Sequence, residues 1–276
     1  MVETKLQLID VKEVLHQKAP NFAKKIPGFV VNYLSRLIHQ DEVNDIFSRI
    51  GNLDGVAFMQ ALIKEFDLTL EIIGEEHLPE KNGRFIFAAN HPLGALDGIS
   101  LAAILGERYD SNIRYLVNDI LFFIPNLRSI FIPINKYGAQ GKEGMLKIEE
   151  AFTSNHQILT FPSGFCSRKK KGIVQDLNWK KSFIQKAIKH QRDIVPIHFG
   201  GQNSNFFYRM ANIRVFLGFK MNFEMLYLSD EMFRKKHHTF RIHIGKPIPW
   251  ETFDKSKTPK EWARWVQKKV YDLSQK

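Results

Sequence analysis

Apolar residues in the first 66 positions recur at helical spacing, and the period then changes. Pro27 and Gly28 suit a helix start, because proline's fixed φ fits a first turn. After them Phe29, Val30, Tyr33, Leu34 and Leu37 fall on one face, with Asn32, Ser35, Arg36 and His39 opposite. Val43, Ile46, Phe47 and Ile50 extend the period to Gly51, and Phe58, Met59, Leu62, Ile63 and Phe66 mark a further helix. From residue 67, short apolar runs at 68–73, 85–89, 113–117, 130–133, 157–161, 194–199 and 240–244 read as strands. Helical stretches at 98–107, 142–153, 178–191 and 206–217 separate several of them. Strands interleaved with crossover helices predict an α/β fold: a mostly parallel central sheet of about seven strands flanked by helices, with an N-terminal helical extension. The change of period divides the chain into 1–66 and 67–276. Ligands of such sheets collect at the carboxyl ends of the strands, where loops converge.

Composition narrows the picture in three ways. Forty Lys plus Arg against 29 Asp plus Glu leave a net charge of +11, which points to an anionic partner: nucleic acid, a phosphorylated ligand or a membrane surface. One cysteine, Cys166, excludes an internal disulfide framework and a four-thiolate zinc site. The start MVETKLQLIDVKEV carries acids and no apolar run, so no secretory signal is expected. The longest apolar stretch, 113–134, is interrupted by Arg114, Asn118, Asp119, Pro125, Asn126 and Arg128, which argues against a spanning helix. A soluble, basic, intracellular protein is expected, held to a membrane at most from one side.

The loop after the strand at 85–89 reads Asn90-His91-Pro92-Leu93-Gly94-Ala95-Leu96-Asp97-Gly98 and runs into an apolar helix. On a helix, residues six apart stand about 240° round from one another, so only a bent loop brings His91 and Asp97 together. Pro92 and Gly94 favour such a bend. If they meet, the carboxylate orients the imidazole, which can then take a proton from a hydroxyl. The plainer alternative is a loop histidine, with Asp97 the N-cap of the following helix. After the strand at 157–161 comes Pro162-Ser163-Gly164-Phe165-Cys166-Ser167-Arg168-Lys169-Lys170-Lys171, a glycine turn beside four cations that suits an anion or an oxyanion. Ile134-Asn135-Lys136-Tyr137 is a third polar, basic loop past an apolar strand.

The order of these blocks resembles the glycerophospholipid acyltransferase superfamily, which includes bacterial lysophosphatidic acid acyltransferases. Asn90-His91…Asp97, Phe131-Ile132-Pro133-Ile134-Asn135-Lys136, Phe161-Pro162-Ser163-Gly164-Phe165-Cys166-Ser167-Arg168 and Ile194-Val195-Pro196-Ile197 follow its sequence of motifs, across about residues 68–245. There are two departures. Five residues, Pro92 to Leu96, separate His from Asp where the family commonly has four. That longer form is similar to a branch acylating lyso-aminolipids, such as those making ornithine or glycine lipids. Ser163 stands where the family usually has Glu, and Asn135-Lys136 where a phosphate-binding Arg is common, which argues against a glycerol phosphate acceptor.

The resemblance implies O-acyl transfer from an acyl carrier protein or coenzyme A thioester to the hydroxyl of a lysolipid, in bacterial membrane lipid biosynthesis. It makes 67–276 the catalytic domain, His91 the general base and Asp97 its stabiliser, with backbone N–H groups near Gly164 for the oxyanion. Asn90, Asn135, Lys136, Pro162, Ser163, Gly164, Phe165, Ser167 and Arg168 become the substrate-binding candidates. No metal or organic cofactor is required. A lipid acceptor implies peripheral attachment to the inner face of the cell membrane. Phe29, Val30, Tyr33 and Leu34, with Lys24, Lys25 and Arg36 nearby, are candidates for that contact, unless this face packs on the core. The cluster Arg234-Lys235-Lys236-His237-His238 faces either that membrane or water.

Rival readings fare less well. A serine hydrolase elbow needs Gly-x-Ser-x-Gly, whereas Phe161 and Phe165 flank Ser163. Cys166 has no partner His assigned by spacing. Gly138 to Gly144 lacks the Gly-Lys-Ser/Thr of a nucleotide loop, and the adjacent His237 and His238 do not make a metal motif. A nucleic-acid module needs exposed aromatics among basic residues on one sheet face, but the strands read apolar on both faces. A 1-acyl-glycerol-3-phosphate acyltransferase, and a catalytically inactive lipid-binding relative, stay open.

Overall fold

The computed structural model describes residues 9–18, 26–118, 124–134, 141–219 and 222–275. Its helices are α1 (Val11–Lys18), α2 (Gly28–Leu37), α3 (Gln40–Ile50), α4 (Gly55–Glu65), α5 (Leu96–Arg108), α6 (Lys142–Thr153), α7 (Ser182–His190), α8 (Asn205–Phe216), α9 (Leu228–Phe233) and α10 (Pro259–Leu273). Its strands are β1 (Thr69–Ile73), β2 (Phe85–Ala89), β3 (Ile113–Asn118), β4 (Phe131–Ile134), β5 (Gln157–Thr160), β6 (Arg168–Lys170), β7 (Ile173–Gln175), β8 (Asp193–Phe199) and β9 (Thr239–Ile244).

Seven strands form one sheet in the order β1-β9-β8-β2-β5-β3-β4. Every pairing in it is parallel except β8 with β9. This is the sheet that the periodicity predicts, strand for strand. β2 is central because it can be buried on both faces: Ile86, Phe87, Ala88 and Ala89 are all fully buried. Successive side chains point to opposite faces. On one face Ile86 and Ala88 join Ile158 and Ile194 beneath Phe152 of α6, Phe183 and Ile184 of α7, and Trp262, Val266 and Val270 of α10. On the other, Phe87 meets Tyr109 just past the end of α5, ring centroids 5.5 Å apart.

β6 and β7 form a separate antiparallel hairpin, Lys170 opposite Ile173. Lys171 and Gly172 both take positive φ, the backbone of a two-residue hairpin turn whose twist matches its strands. The hairpin takes up the cationic end of the 162–171 loop read from sequence, and α7 starts at Ser182 rather than 178. α10 has no counterpart among the sequence-predicted elements. Thr258 caps it reciprocally with Glu261, and Pro259 fills the first turn.

Two compact units divide the chain, 1–53 with 203–236 and 54–202 with 237–276, rather than a cut at residue 66. α4 belongs with the sheet, where Val56 packs so tightly on Gly106 of α5 that an added Cβ would stand 2.3 Å from it. In the smaller unit, Asn44 and Gln40 of α3 accept the N–H groups of Ile9 and Val11 at 2.7 and 2.9 Å, while Asp10 caps α1 by accepting those of Lys12 and Glu13. Glu231 is buried where it accepts the N–H and hydroxyl of Ser204, the N-cap of α8.

Candidate active site

His91 and Asp97 meet. β2 ends at Ala89, and Asn90 carries the pairing one step further: its amide donates to Phe199 O at 2.9 Å and accepts Phe199 N–H at 2.6 Å. The chain then turns through Gly94, whose φ of 81° belongs to the left-handed region where a side chain is strained. That turn folds the loop back, so that His91 Nδ1 lies 3.0 Å from Asp97 Oδ2. The same Oδ2 accepts the N–H groups of Leu93 and Gly94 at 3.0 and 3.3 Å, while Oδ1 accepts that of Gly98 at 2.9 Å.

Asp97 is therefore not the N-cap; that position belongs to Ala95, and Asp97 sits within the first turn of α5. Its carboxylate closes the preceding loop instead of capping the helix from outside. Fully buried and facing N–H donors throughout, it is a pure acceptor. The bond to it places the imidazole proton on Nδ1 and leaves the Nε2 lone pair free to accept another. Nε2 has no partner among the described residues, and the His91 side chain keeps 15% exposure.

The ring is held from the side as well. Phe161, at the end of β5, stacks on it at 4.1 Å with planes 23° apart. Tyr115 of β3 lies against Phe161 in turn, and its hydroxyl would be 2.3 Å from a Cβ at Gly98, so α5 approaches β3 only because residue 98 is glycine. Burial, and then the nearby Asp97 charge, push the Tyr115 hydroxyl well above its ordinary range.

The loop 162–168 runs alongside, joined by the Ser167 N–H to His91 O at 2.7 Å. Several substrate-binding candidates are committed here to the protein itself. Ser163 is buried, its hydroxyl donating to Phe165 O at 2.6 Å. Ser167 is buried, its hydroxyl on Asp176 Oδ1 at 2.6 Å. Asn90 is spent on β8, and Pro162 is buried. Arg168 is buried, with Nη1 3.1 Å from both the oxygen and the Sγ of Cys166. Gly164, at φ 72°, and Phe165 stay half-buried at the surface. The Gly164 N–H closes a tight turn on Phe161 O at 2.9 Å, which removes it as an oxyanion donor. Asn135 and Lys136 lie outside the described residues.

Sequence reasoning missed Asp176, just past β7. Its Oδ1 accepts His91 N–H at 3.1 Å as well as Ser167, its Oδ2 accepts the Trp179 indole N–H at 2.9 Å, and its own N–H donates to the Tyr271 hydroxyl at 2.7 Å. Burial pushes its carboxyl up, while those hydrogen bonds pull it down. Asp176 stands in a short mixed stretch, Ile173-Val174-Gln175-Asp176-Leu177-Asn178-Trp179, with no sustained helical or strand period; its apolar neighbours were the one signal that the segment turns inward. Among the described residues no group of three or more His, Cys, Asp or Glu side chains is placed to hold a metal ion.

A mostly parallel sheet thus carries an oriented imidazole at the tip of its central strand, beside a glycine turn, at the edge where ligands of such sheets collect. Residues 13–276 match the Acyltransferase family, and the chain belongs to it. The lyso-glycine lipid O-acyltransferases of Bacteroides thetaiotaomicron and Phocaeicola vulgatus are each 48% identical to it over 99% of its length, covering 100% and 98% of those proteins. A solved 1-acyl-sn-glycerophosphate acyltransferase, PlsC from Thermotoga maritima, aligns over 88% of this chain and 96% of its own at 14% identity and a TM-score of 0.45. The acyltransferase resemblance read from four ordered motifs thus holds.

Proposed function

We propose that this acyltransferase esterifies the free hydroxyl of a lyso-glycine lipid, with His91 as general base. The observation that carries the chemistry is the 3.0 Å bond from His91 Nδ1 to a buried Asp97 that already accepts three backbone N–H groups. In the reaction Nε2 takes the acceptor's hydroxyl proton as its oxygen attacks the thioester carbonyl. The C–S bond breaks as the tetrahedral intermediate collapses, and the imidazolium returns the proton to the thiolate. Asp97 stabilises the imidazolium in between, and a base so placed contributes about 10²–10⁴-fold. The acceptor class is supported by the two lyso-glycine lipid relatives, and by Ser163 with its hydroxyl turned inward where a glycerol phosphate enzyme of the superfamily usually has Glu. The donor is an acyl carrier protein or coenzyme A thioester, and no other cofactor enters the scheme.

A lipid acceptor supports peripheral attachment of the enzyme to the inner face of the cell membrane. Phe29 and Tyr33 of α2 are exposed and Val30 and Leu34 half-buried, which supports α2 as one contact. In the same unit Tyr33 shares a 2.6 Å hydrogen bond with Tyr227, and Phe206, Ile213, Phe216 and Phe219 are exposed, so the apolar surface extends well beyond α2. No helix among the described residues is long and apolar enough to cross a membrane.

The deciding experiment incubates purified protein with labelled acyl carrier protein and coenzyme A thioesters and a panel of lyso-glycine lipid, lyso-ornithine lipid and lysophosphatidate. Acylation of lyso-glycine lipid well ahead of lysophosphatidate is expected; preference for lysophosphatidate overturns the acceptor assignment.

A further inference from the structure

Asp176 lies outside the four motifs that carry the family resemblance, yet it joins two of them. Only 4% exposed, it reaches no substrate, and its side chain bonds the His91 main chain rather than the imidazole. Three donors converge on it: the His91 N–H and Ser167 hydroxyl on Oδ1, and the Trp179 indole N–H on Oδ2. A carboxylate can accept all three, whereas an amide must turn its NH₂ toward at least one. The loop after β2 and the loop after β5 are thereby fixed to one atom, and the Ser167 N–H to His91 O bond repeats the tie 2.7 Å long.

We infer that Asp176 is a positioning residue for acyl transfer, clamping the backbone of His91 to the 162–168 loop. Asp97 sets the rotation of the imidazole; Asp176 sets the main chain from which the imidazole hangs. Both are needed, because an oriented ring on a displaced backbone still misses the hydroxyl, and a displacement of about 1 Å costs about 10²-fold in rate. The inference rests on His91 being the base.

Asp176→Asn tests it, with Trp179→Phe as the companion. The first disturbs the atoms that hold His91 and Ser167; the second releases only Oδ2 and leaves both other bonds in place. At a temperature where circular dichroism shows both variants folded, Asp176→Asn should lower kcat about 10²-fold with KM for either substrate changed by less than about threefold. Trp179→Phe should lose melting temperature yet keep kcat within about threefold. A folded Asp176→Asn enzyme with near wild-type kcat overturns the inference. So does an equal loss of kcat in Trp179→Phe, which is the mark of general destabilisation. Should Asp176→Asn not fold, Ser167→Ala decides by removing one of the two Oδ1 donors: a fall in kcat at constant KM supports the clamp, and unchanged kcat overturns it. Hydrogen exchange at the His91 amide gives a readout that needs no acceptor. Protection in the wild type lost in Asp176→Asn is expected, and fast exchange in the wild type overturns the clamp. A wild type that acylates no lysolipid while its His91 amide is protected would sink the acceptor assignment and leave the clamp standing.

Discussion

Two aspartates bracket His91, and they differ in what they hold. Asp97 bonds the ring and Asp176 the main chain, and each is buried with several donors on it. Removing the ring alone separates chemistry from folding. His91→Ala deletes a partly exposed side chain with one hydrogen bond to Asp97, whose carboxylate still accepts the N–H groups of Leu93, Gly94 and Gly98. The variant should keep its circular dichroism and lose acyl transfer by at least about 10²-fold, read as single-turnover acylation of the lysolipid. Asp97→Asn should lose about 10²–10⁴-fold, because an amide no longer forces the proton onto Nδ1. It should also melt earlier than His91→Ala, since its NH₂ group faces at least one backbone N–H in a fully buried site. Full activity in folded His91→Ala would remove the base. His91 and Asp97 were legible as a pair through the ordered motifs of the family resemblance, since the loop alone left a plain histidine and a helix cap as the simpler reading. Asn90, Ser163 and Ser167 were read as substrate groups, but they satisfy backbone and Asp176 instead. A sequence names donors and acceptors; it does not say which way they turn.

At the scale of elements, the strands were legible because burial on both faces leaves uninterrupted apolar runs, as at Ile86 to Ala89. The β6–β7 hairpin was hidden because Arg168-Lys169-Lys170 reads as a solvated charge run; the readable turn signal was Gly172 alone, since Lys171 also takes a positive φ that lysine does not favour. α10 was hidden although Thr258-Pro259 and Glu261 spell a helix start, since its buried stripe is narrow: Trp262, Ala263, Val266 and Val270. What no pattern reveals is close approach. Gly98 lets α5 lie against Tyr115, and a Cβ there would meet the hydroxyl at 2.3 Å and two ring carbons at 3.2 Å. Gly98→Ala should therefore cost about 1–3 kcal/mol by overpacking, measured by urea denaturation. It should also lower kcat, because α5 carries Asp97. Tyr115→Phe removes the worst contact and should restore part of both losses in the double variant. A stability loss that Tyr115→Phe leaves untouched would mean that the strain lies elsewhere.

The whole chain answers to charge in two ways. Its net +11 predicts attraction to anionic lipid at about 1 kcal/mol per Lys or Arg near the surface. Flotation with liposomes should thus need anionic lipid, weaken with salt, and weaken further in Phe29→Ser with Phe216→Ser; binding indifferent to both lipid charge and salt would refute the proposed docking. The second response is to protons. His198 of β8 has its Nδ1 buried without a hydrogen-bond partner among the described residues, and burial followed by the His243 charge push it down to about 4. His156 and His190 are also lowered, burial being the largest cause in each. A histidine whose folded value is depressed binds fewer protons folded than unfolded between the two values. Its contribution is thus fully present above about pH 6.5 and is lost as pH falls toward 4. For His198 the loss across that window is at most about 3 kcal/mol, its half-buried position reducing the figure. Urea midpoints should accordingly decline between pH 6.5 and 4. His198→Phe, which keeps a ring between Tyr271 and His243 but cannot take a proton, should flatten that decline. An unchanged slope in the variant would show that His198 takes up its proton equally in the folded and unfolded states, and that the acid response belongs to His156 and His190.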